Sequence, residues 1–326
     1  MQLSPDIAMG VHQMGEFAAT YSIVAMDPAT DEMGGAVQSH FFAVGHAVLW
    51  ARAGVGVVAT QSLINRQFGP DGLHLLAQGL DARDVLAVLL KSDSGADYRQ
   101  VGVMDHLGNS AAHTGSLCIQ EASHRRGPFF AAQANMMLHS GVPEAMETAF
   151  RQTSGPLAER LVAALAAAET LGGDIRGKQS AALVLVRANG SPSVASDELV
   201  NLHVEDHPKP VEELARLVSL YRGYQSLDAG DGAMERGNPD EAAHHYSHAH
   251  EALGANPEAL FWHGIALLNS GKSAEGLRRL RPLFERNPAW LELTLRLPAS
   301  RLALLDADTE ATLRAWHDGR ADGPEI

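Results

Sequence analysis

Thr20 is the residue whose type and position most favour covalent chemistry, because it opens the alternating segment TYSIVAMD. A threonine hydroxyl becomes a useful nucleophile only when a neighbouring base takes its proton. Gln61 ends the segment GVGVVATQ and Asn65 follows it, and their amide groups could donate hydrogen bonds to an oxyanion. The alternative is an ordinary strand threonine whose hydroxyl is satisfied within the fold.

Polar residues beside apolar segments are the other candidates for substrate contact. Gln38 and Ser39 fall at the end of the second predicted strand, where a cleft between sheet edges would open, with turn capping as the alternative. Asp174 and Arg176 form either a structural ion pair or part of the site. A buried polar side chain needs a partner, which is either a loop or a ligand. The candidates for substrate binding are Gln38, Ser39, Arg52, Thr60, Gln61, Asn65, His113, Gln133, Asn135, Asp174, Arg176 and Gln179.

Histidine and cysteine give weaker signals. His244 and His248 in HHYSHAH are four residues apart, as in metal-binding pairs, but no third ligand lies at a matching spacing, which favours a solvated helix face. Cys118 is the single cysteine, so an intramolecular disulfide is excluded, and without a nearby base it is expected to be a packing residue. No phosphate-binding glycine loop, dinucleotide fingerprint or HExxH motif is present, so neither a cofactor nor a metal is expected.

The elements that must position Thr20 alternate between strands and pairs of helices. Apolar or alternating segments predict strands, among them a hairpin that turns at HLGN, and PATDEMGG predicts a turn through Pro28, Asp31, Gly34 and Gly35. Helical spacing predicts helix pairs at about 69–91 and 143–171, with Asp81 as an N-cap. The order β, αα, β, αα, β predicts an α+β fold with two sheets between two helical layers.

The strands stop near Pro208, and the rest of the chain has helical spacing. Gly237 and Gly271 stand in similar segments 34 positions apart, which is the tetratricopeptide period. We therefore predict an N-terminal extension at 1–19, a main domain at 20–226 and a small all-α, tetratricopeptide-like domain at 227–326. Helical repeats commonly bind proteins, so a protein partner for this last domain is a further expectation.

Composition restricts the classes of partner. The 326 residues include 39 acidic and 25 basic side chains, for a formal charge of -14, and no basic stripe interleaves with aromatic residues. Nucleic acid and anionic membrane surfaces are therefore not expected as partners. No window has the roughly 18 apolar residues of a membrane span, and residues 1–19 lack the basic and apolar regions of a secretory signal. The expected location is cytoplasmic.

The segments TYSIVA, WARAGVGVVATQ, GNSAAHTG and DIRGKQSAALVLV together resemble domain-of-unknown-function family 1028, a bacterial family grouped with the N-terminal-nucleophile (Ntn) hydrolases. The resemblance covers roughly Thr20 to Tyr224. It implies a four-layer αββα sandwich of Ntn-hydrolase type. It also implies an amidohydrolase for a small amide or peptide, with Thr20 as the nucleophile, its own α-amine as the base, and association into a homo-oligomer.

Two departures from this family pattern affect the predicted activity. Many relatives start with Met-Thr, whereas 19 residues precede Thr20 here, and the Ala19–Thr20 peptide bond removes the amine that would act as base. The first lysine is Lys91, and the nearer Arg52 cannot serve as a base because it keeps its proton. An uncleaved precursor, a misassigned start and an inactive enzyme are the alternatives. A non-catalytic binding or assembly protein, with the sandwich as scaffold, is the competing function.

Overall fold

A computed structural model describes residues 17–254 and 256–319, so most of the predicted extension lies outside the described residues. The described residues form eleven strands in two antiparallel sheets and eleven α-helices, and the C-terminal region is helical. The prediction of a mixed α+β chain that ends in helices is therefore confirmed. The chain divides into two compact units, one ending at Val218 and the other beginning at Ser219.

Five strands of the first unit form one sheet. Its order is β1, β5, β6, β7, and β4 pairs with β5. All the pairings are antiparallel. The strands are β1 (Phe17–Ala18), β4 (Leu49–Arg52), β5 (Gly56–Leu63), β6 (Arg99–Asp105) and β7 (Ser110–Thr114).

Six strands form the second sheet, in the order β11, β10, β3, β2, β9, β8. In its register, Thr20 is opposite Ser39, which is opposite Ser180, so three hydroxyl residues share one level of the sheet. The strands are β2 (Thr20–Asp27), β3 (Glu32–Ser39), β8 (Ser123–Gly127), β9 (Phe130–Ala134), β10 (Ser180–Arg187) and β11 (Glu198–Val204).

The two sheets share a core. Val24 and Val37 of the second sheet pack in one buried cluster with Val57 and Met104 of the first. Side chains alternate between the faces of a strand, so residues two positions away from these also point between the sheets. We call this face of both sheets the inner face, and the opposite face of each sheet its outer face.

Helices cover the outer faces. Val58 and Val101 on the outer face of the first sheet pack against apolar residues of α2 and α3. Asp81 caps α3 by accepting hydrogen bonds from the backbone N–H groups of Arg83 and Asp84, which confirms the predicted N-cap. Helix α5 packs on β2 and β3 of the second sheet. The helices of this region are α1 (Val44–Val48), α2 (Phe68–Ala77), α3 (Ala82–Lys91), α4 (Val142–Gln152) and α5 (Leu157–Thr170).

Gly34 and Gly35 lie inside β3, and the prediction that they form the turn after the first strand is wrong. The turn is limited to residues 28–31. A Cβ at Gly34 would stand 1.9 Å from the carbonyl oxygen of Val184, and one at Gly35 would stand 2.8 Å from that of Ile23. These glycines are therefore explained by close approach of neighbouring backbone rather than by turn formation.

The rest of the described chain is helical. Gly237 and Gly271 each follow the end of a helix by two residues, with φ angles of 73° and 76° that favour glycine. Phe261, Leu280 and Leu313 belong to one buried cluster. Helix α6 contains the division between the two units. The helices are α6 (Pro210–Glu235), α7 (Pro239–Leu253), α8 (Pro257–Asn269), α9 (Ser273–Arg286), α10 (Ala289–Arg296) and α11 (Ala307–His317). Among the described helices, none is both long and apolar enough to cross a membrane.

Candidate active site

Thr20 is the first residue of β2 and is fully buried on the inner face. Its backbone carbonyl accepts hydrogen bonds from Gln61 Nε2 at 3.0 Å and Asn135 Nδ2 at 3.3 Å. The backbone N–H of Asn135 also donates to this carbonyl, at 3.1 Å. Three donors from two sheets therefore fix the start of the strand that carries Thr20.

The carbonyl oxygen of Ala19, on the other side of the Ala19–Thr20 peptide bond, is held by two side chains. Ser39 Oγ donates to it at 2.5 Å and Arg176 Nη2 at 3.2 Å. Asp174 orients Arg176 through two contacts, Nη2–Oδ2 at 2.8 Å and Nε–Oδ1 at 3.1 Å. Asp174 also accepts the backbone N–H of His40. A hydroxyl and a guanidinium that converge on one carbonyl oxygen are suited to stabilise negative charge on it.

A network of amide side chains extends from Thr20 between the sheets. Gln61 Nε2 donates to Gln100 Oε1 at 2.8 Å, and Asn135 Nδ2 donates to the same oxygen at 3.0 Å. Ser22 Oγ donates to Gln61 Oε1 at 2.6 Å, and Gln133 Nε2 donates to Ser22 Oγ at 3.3 Å. These hydrogen bonds offset the free-energy cost of removing the polar side chains from water. The side chains therefore hold one another in a single arrangement.

Two acceptors in this network are left over. Gln133 Oε1 and Asn135 Oδ1 are buried, and neither has a hydrogen-bond partner within the described part of the chain. Buried polar atoms without a partner are costly, and they commonly mark a place where water or a ligand binds. Both oxygens could accept an N–H group.

The network continues to the surface beside β7 and β8. Gln100 Nε2 donates to Thr114 Oγ1 at 2.9 Å, and Thr114 Oγ1 lies 2.9 Å from His124 Nδ1. Burial, with electrostatic repulsion from His113 and Arg126 contributing, lowers the pKa of His124, so its imidazole is neutral at pH 7. Thr114 and His124 line a surface cavity of about 550 Å³ that also includes Cys118.

Cys118 does not have the environment of a reactive thiol. Burial raises its pKa, so the thiol stays protonated at neutral pH. Its Sγ contacts the carbonyl oxygen of Arg99 at 3.4 Å. This agrees with the expectation of a packing residue.

Seven of the predicted residues come together around the Ala19–Thr20 bond or in the adjoining network. Thr20 and Ser39 come from paired strands, and Gln61 enters from the opposite sheet. The strand β9 carries Gln133, and Asn135 follows it. The seven residues are Thr20, Ser39, Gln61, Gln133, Asn135, Asp174 and Arg176.

Three predicted residues lie on the outer face of the first sheet or beyond it. Thr60 Oγ1 donates to the carbonyl oxygen of Asn65 at 3.3 Å, and Asn65 Nδ2 donates to Asp93. His113 is opposite the outer-face residue Val101, and its ring contacts the carbonyl oxygen of Ala96. These side chains therefore connect the sheet to its helices and loops rather than to Thr20.

The last three predicted residues are also directed elsewhere. Gln38 is opposite Tyr21, so its fully buried side chain points to the outer face of the second sheet, away from Ser39. Gln179 Nε2 donates to Asp206. Arg52 is exposed and paired with Gly56, five residues or about 17 Å along β5 from Gln61. The structure thus separates Arg52 from the neighbourhood of Thr20.

Four residues of the network escaped the sequence analysis: Ser22, Gln100, Thr114 and His124. Ser22 follows Thr20 by two positions on the same strand, so its place on the inner face was available from alternation alone. Gln100 and Thr114 are opposite each other in the predicted hairpin, and the hairpin register would have paired them. For His124 we find no sequence signal, because the strand β8 that carries it was not predicted.

This site belongs to a protein of a family defined by sequence rather than by activity. Residues 20–214 match the profile described as "Family of unknown function (DUF1028)". The chain therefore belongs to the DUF1028 family. It is similar to the crystal structure of protein SPO2555 from Silicibacter pomeroyi, which carries the same family name, at 33% identity and a TM-score of 0.55. That similarity covers 61% of this chain and 88% of the other. Among curated proteins the chain has no significant match.

Proposed function

We propose that this protein is an Ntn-type amide hydrolase whose nucleophile is Thr20 after its α-amine has been exposed. The observation that carries the proposal is the pair of donors, Ser39 and Arg176, on the carbonyl oxygen of the residue attached to Thr20. The two sheets with helices on their outer faces are compatible with the four-layer αββα sandwich of that class. The family match, which starts at Thr20, supports the same reading.

The chemistry follows from what replaces Ala19. Once the Ala19–Thr20 bond is cleaved, the free amine takes the hydroxyl proton of Thr20, and Oγ1 attacks the carbonyl carbon of an amide substrate. The acyl group of that substrate would occupy the place of Ala19, so its oxygen would receive the hydrogen bonds of Ser39 and Arg176. The protonated amine gives its proton to the leaving nitrogen, and water then hydrolyses the ester on Thr20.

The uncleaved chain is a precursor in this proposal. Ala19 and Thr20 are fully buried, and β1 just before them pairs with Ser62 and Leu63 of β5. A peptide nitrogen is not basic, so Thr20 lacks its general base until the bond is broken. Removal of residues 1–19 would both free the amine and clear the start of β2 for a small amide or peptide.

The test is to compare the full chain with a chain that begins at Thr20, released by a protease from an N-terminal fusion. Both are assayed for ammonia or amine release from a panel of small amides and short peptides. We expect activity only in the chain that begins at Thr20, and loss of it in Thr20→Ala. The control is Thr30→Ala, which changes an exposed threonine in the turn after β2. Equal activity of the Thr20→Ala chain would rule out this nucleophile.

A second candidate is a binding or assembly protein that keeps the sandwich as a scaffold and binds a protein partner through its C-terminal helices. Ala19 and Thr20 are fully buried and β1, directly before them, is paired with β5, which favours this candidate because an inactive scaffold has no need to open the site. The 34-residue spacing of Gly237 and Gly271, both with positive φ, favours tetratricopeptide-like repeats. A full-length mass in the native host together with an inactive Thr20-start chain would favour this candidate. Association into a homo-oligomer fits both, and light scattering would measure it.

A further inference from the structure

A second cluster of side chains that could bind a ligand lies at the edge of the second sheet formed by β11. His46 is in α1, His203 is in β11, and Glu205 follows that strand directly. His46 Nε2 lies 3.0 Å from Glu205 Oε1, and His203 Nδ1 lies 3.8 Å from the same oxygen. One ligand atom from each of the three lies within 4.8 Å of the others. None of these residues takes part in the Thr20 site.

His203 is oriented so that one ring nitrogen is left available. Its Nε2 lies 2.7 Å from Asn201 Oδ1, and because an amide oxygen only accepts, Nε2 carries the proton. Nδ1 therefore presents a lone pair. This atom is buried and has no hydrogen-bond partner in the described residues. Histidines that bind metals are commonly fixed in this way, by an acceptor on the second nitrogen.

Gly45 allows α1 to pack closely against the His203 ring. A Cβ at this position would lie 2.5 Å from His203 Nδ1 and equally 2.5 Å from Ala182 Cβ. Since real side chains do not approach so closely, any other residue would displace the ring or the helix. Residue 45 also precedes His46, so α1 brings the glycine and the second histidine to His203 together.

We infer that His46, His203 and Glu205 form a binding site for a first-row divalent cation such as Zn²⁺. Two imidazole nitrogens and one carboxylate oxygen are donors that Zn²⁺ prefers, and bonds of about 2.1 Å place tetrahedral ligands about 3.4 Å apart. The two distances to Glu205 Oε1, 3.0 Å and 3.8 Å, lie on either side of that value. The fourth position would be taken by water.

Binding requires one local movement. The rings of His46 and His203 are stacked, with centroids 4.4 Å apart and planes at 16°, so a single ion cannot lie in both ring planes at once. The His46 side chain is 65% exposed, so the solvent leaves it room to turn, whereas His203 is held by Asn201. His46 therefore rotates to meet an ion bound by His203 and Glu205.

A simple surface ion pair explains less. The contact between His46 and Glu205 on its own would be a weak, exposed pair. It gives no reason for a buried Nδ1 on His203 that has no hydrogen-bond partner among the described residues. A cation accounts for both features.

The bound ion would fasten the segment that follows Ser39. Ala43 N already donates to the carbonyl oxygen of Glu205, and Val44 N donates to Ser180 Oγ. A metal ion bound by residues of α1 and of the end of β11 would add a third connection beside these two hydrogen bonds. The proposed site does not depend on amide hydrolysis.

The experiment is titration of the chelator-treated full-length protein with Co²⁺ and then Zn²⁺, followed by the visible absorption of Co²⁺ and by calorimetry. We expect one equivalent to bind with an absorption spectrum of four-coordinate Co²⁺, displaced by Zn²⁺. His46→Gln and His203→Gln should each weaken binding by about 100-fold or more, and Asn201→Ala by about 10–100-fold. His46→Gln changes an exposed side chain, so it tests the site even if His203→Gln impairs folding.

The control is the double variant His244→Gln/His248→Gln in α7. These histidines have ring centroids 4.5 Å apart and form another close histidine pair among the described residues. Unchanged affinity in this variant supports the proposed site. Loss of binding here with retention in His46→Gln, or no binding by the unaltered protein below millimolar Co²⁺, would overturn it.

Discussion

Polar residues on the inner and outer faces of the same strands have different kinds of hydrogen-bond partner. Gln100 and Arg99 are neighbours in β6, yet Gln100 joins the amide network between the sheets, whereas Arg99 pairs with Asp93 at 2.7 Å beside the helices. Ser39 and Gln38 are neighbours in β3, yet only Ser39 reaches Ala19. The polar side chains of this inner-face network converge on Thr20, whereas outer-face residues such as Arg99 bind loops beside the helices or, like Gln38, have no hydrogen-bond partner among the described residues. The face of the strand on which a polar residue lies therefore distinguishes candidate active-site residues from residues with a structural role.

The strongest test of this comparison is to substitute one threonine on each face and to compare the effects on kcat. In the chain that begins at Thr20, Thr20→Ala on the inner face should reduce kcat by about a thousandfold or more, because the nucleophile is lost. Thr60→Ala in the neighbouring sheet points outward and should change kcat less than about threefold. The measurement is kcat on a substrate from the amide panel. Similar losses of kcat in both variants would mean that the strand face on which a residue lies does not indicate the active site.

The next largest effect is expected at the two donors to the Ala19 carbonyl. Ser39→Ala removes one hydrogen bond to the developing oxyanion, which typically costs about 10²–10³ in kcat. The control is Gln179→Ala, whose side chain is directed to Asp206. Steady-state kinetics should show the loss in kcat rather than in KM. A change confined to KM would instead assign Ser39 to ground-state binding.

Two glutamine variants, one on the inner face and one on the outer face, test how each face contributes to the free energy of unfolding. Gln61→Leu should lower the free energy of unfolding by about 2–3 kcal/mol, because the buried Ser22 hydroxyl loses its acceptor and the oxygens Gln100 Oε1 and Thr20 O each lose one donor. Gln38→Leu should be neutral or raise it by about 1 kcal/mol, because neither polar atom of Gln38 has a partner among the described residues. Urea unfolding of the full chain measures both. Equal destabilisation would show that Gln38 has a partner such as water.

The smallest expected effect is a pH-dependent change in the free energy of unfolding when Asp93, which pairs with the outer-face residue Arg99, is substituted. Burial would raise the pKa of Asp93, but hydrogen bonds from Arg99, Gly95 and Asn65 outweigh it and the net pKa is lowered. A lowered pKa means that the carboxylate stabilises the fold above its ordinary pKa of about 4 and loses this contribution as pH falls through the folded value. Asp93→Asn should cost about 1–2 kcal/mol at pH 7 and progressively less below pH 4.

Urea unfolding at several pH values, with Asp97→Asn as the control, measures this difference. Asp97 accepts a hydrogen bond from Ser116 at an exposed position. A gap between the unaltered protein and Asp93→Asn that stays constant with pH would contradict the assignment. Such a result would assign the cost to geometry rather than to charge.

Much of the architecture follows from local patterns. Alternation predicted β2, the Asp81 cap predicted the start of α3, and HLGN predicted the hairpin of β6 and β7. The two glycines of β3 misled the prediction because their reason is contact with other strands, which a local pattern does not contain. The same limit explains why β8, with its exposed arginines and short length, was not predicted.

Most strands and helices, and the resemblance to the family, could be predicted from the sequence, because local patterns and short motifs depend on neighbours along the chain. Which polar residues meet could be learned from the tertiary structure alone. Gln61 and Gln100 come from one sheet and Thr20 and Asn135 from the other, and the packing of the inner faces brings them within hydrogen-bond distance. His46 and His203 likewise become neighbours only because α1 lies beside the end of β11. Such contacts join residues far apart in sequence, where spacing carries no information.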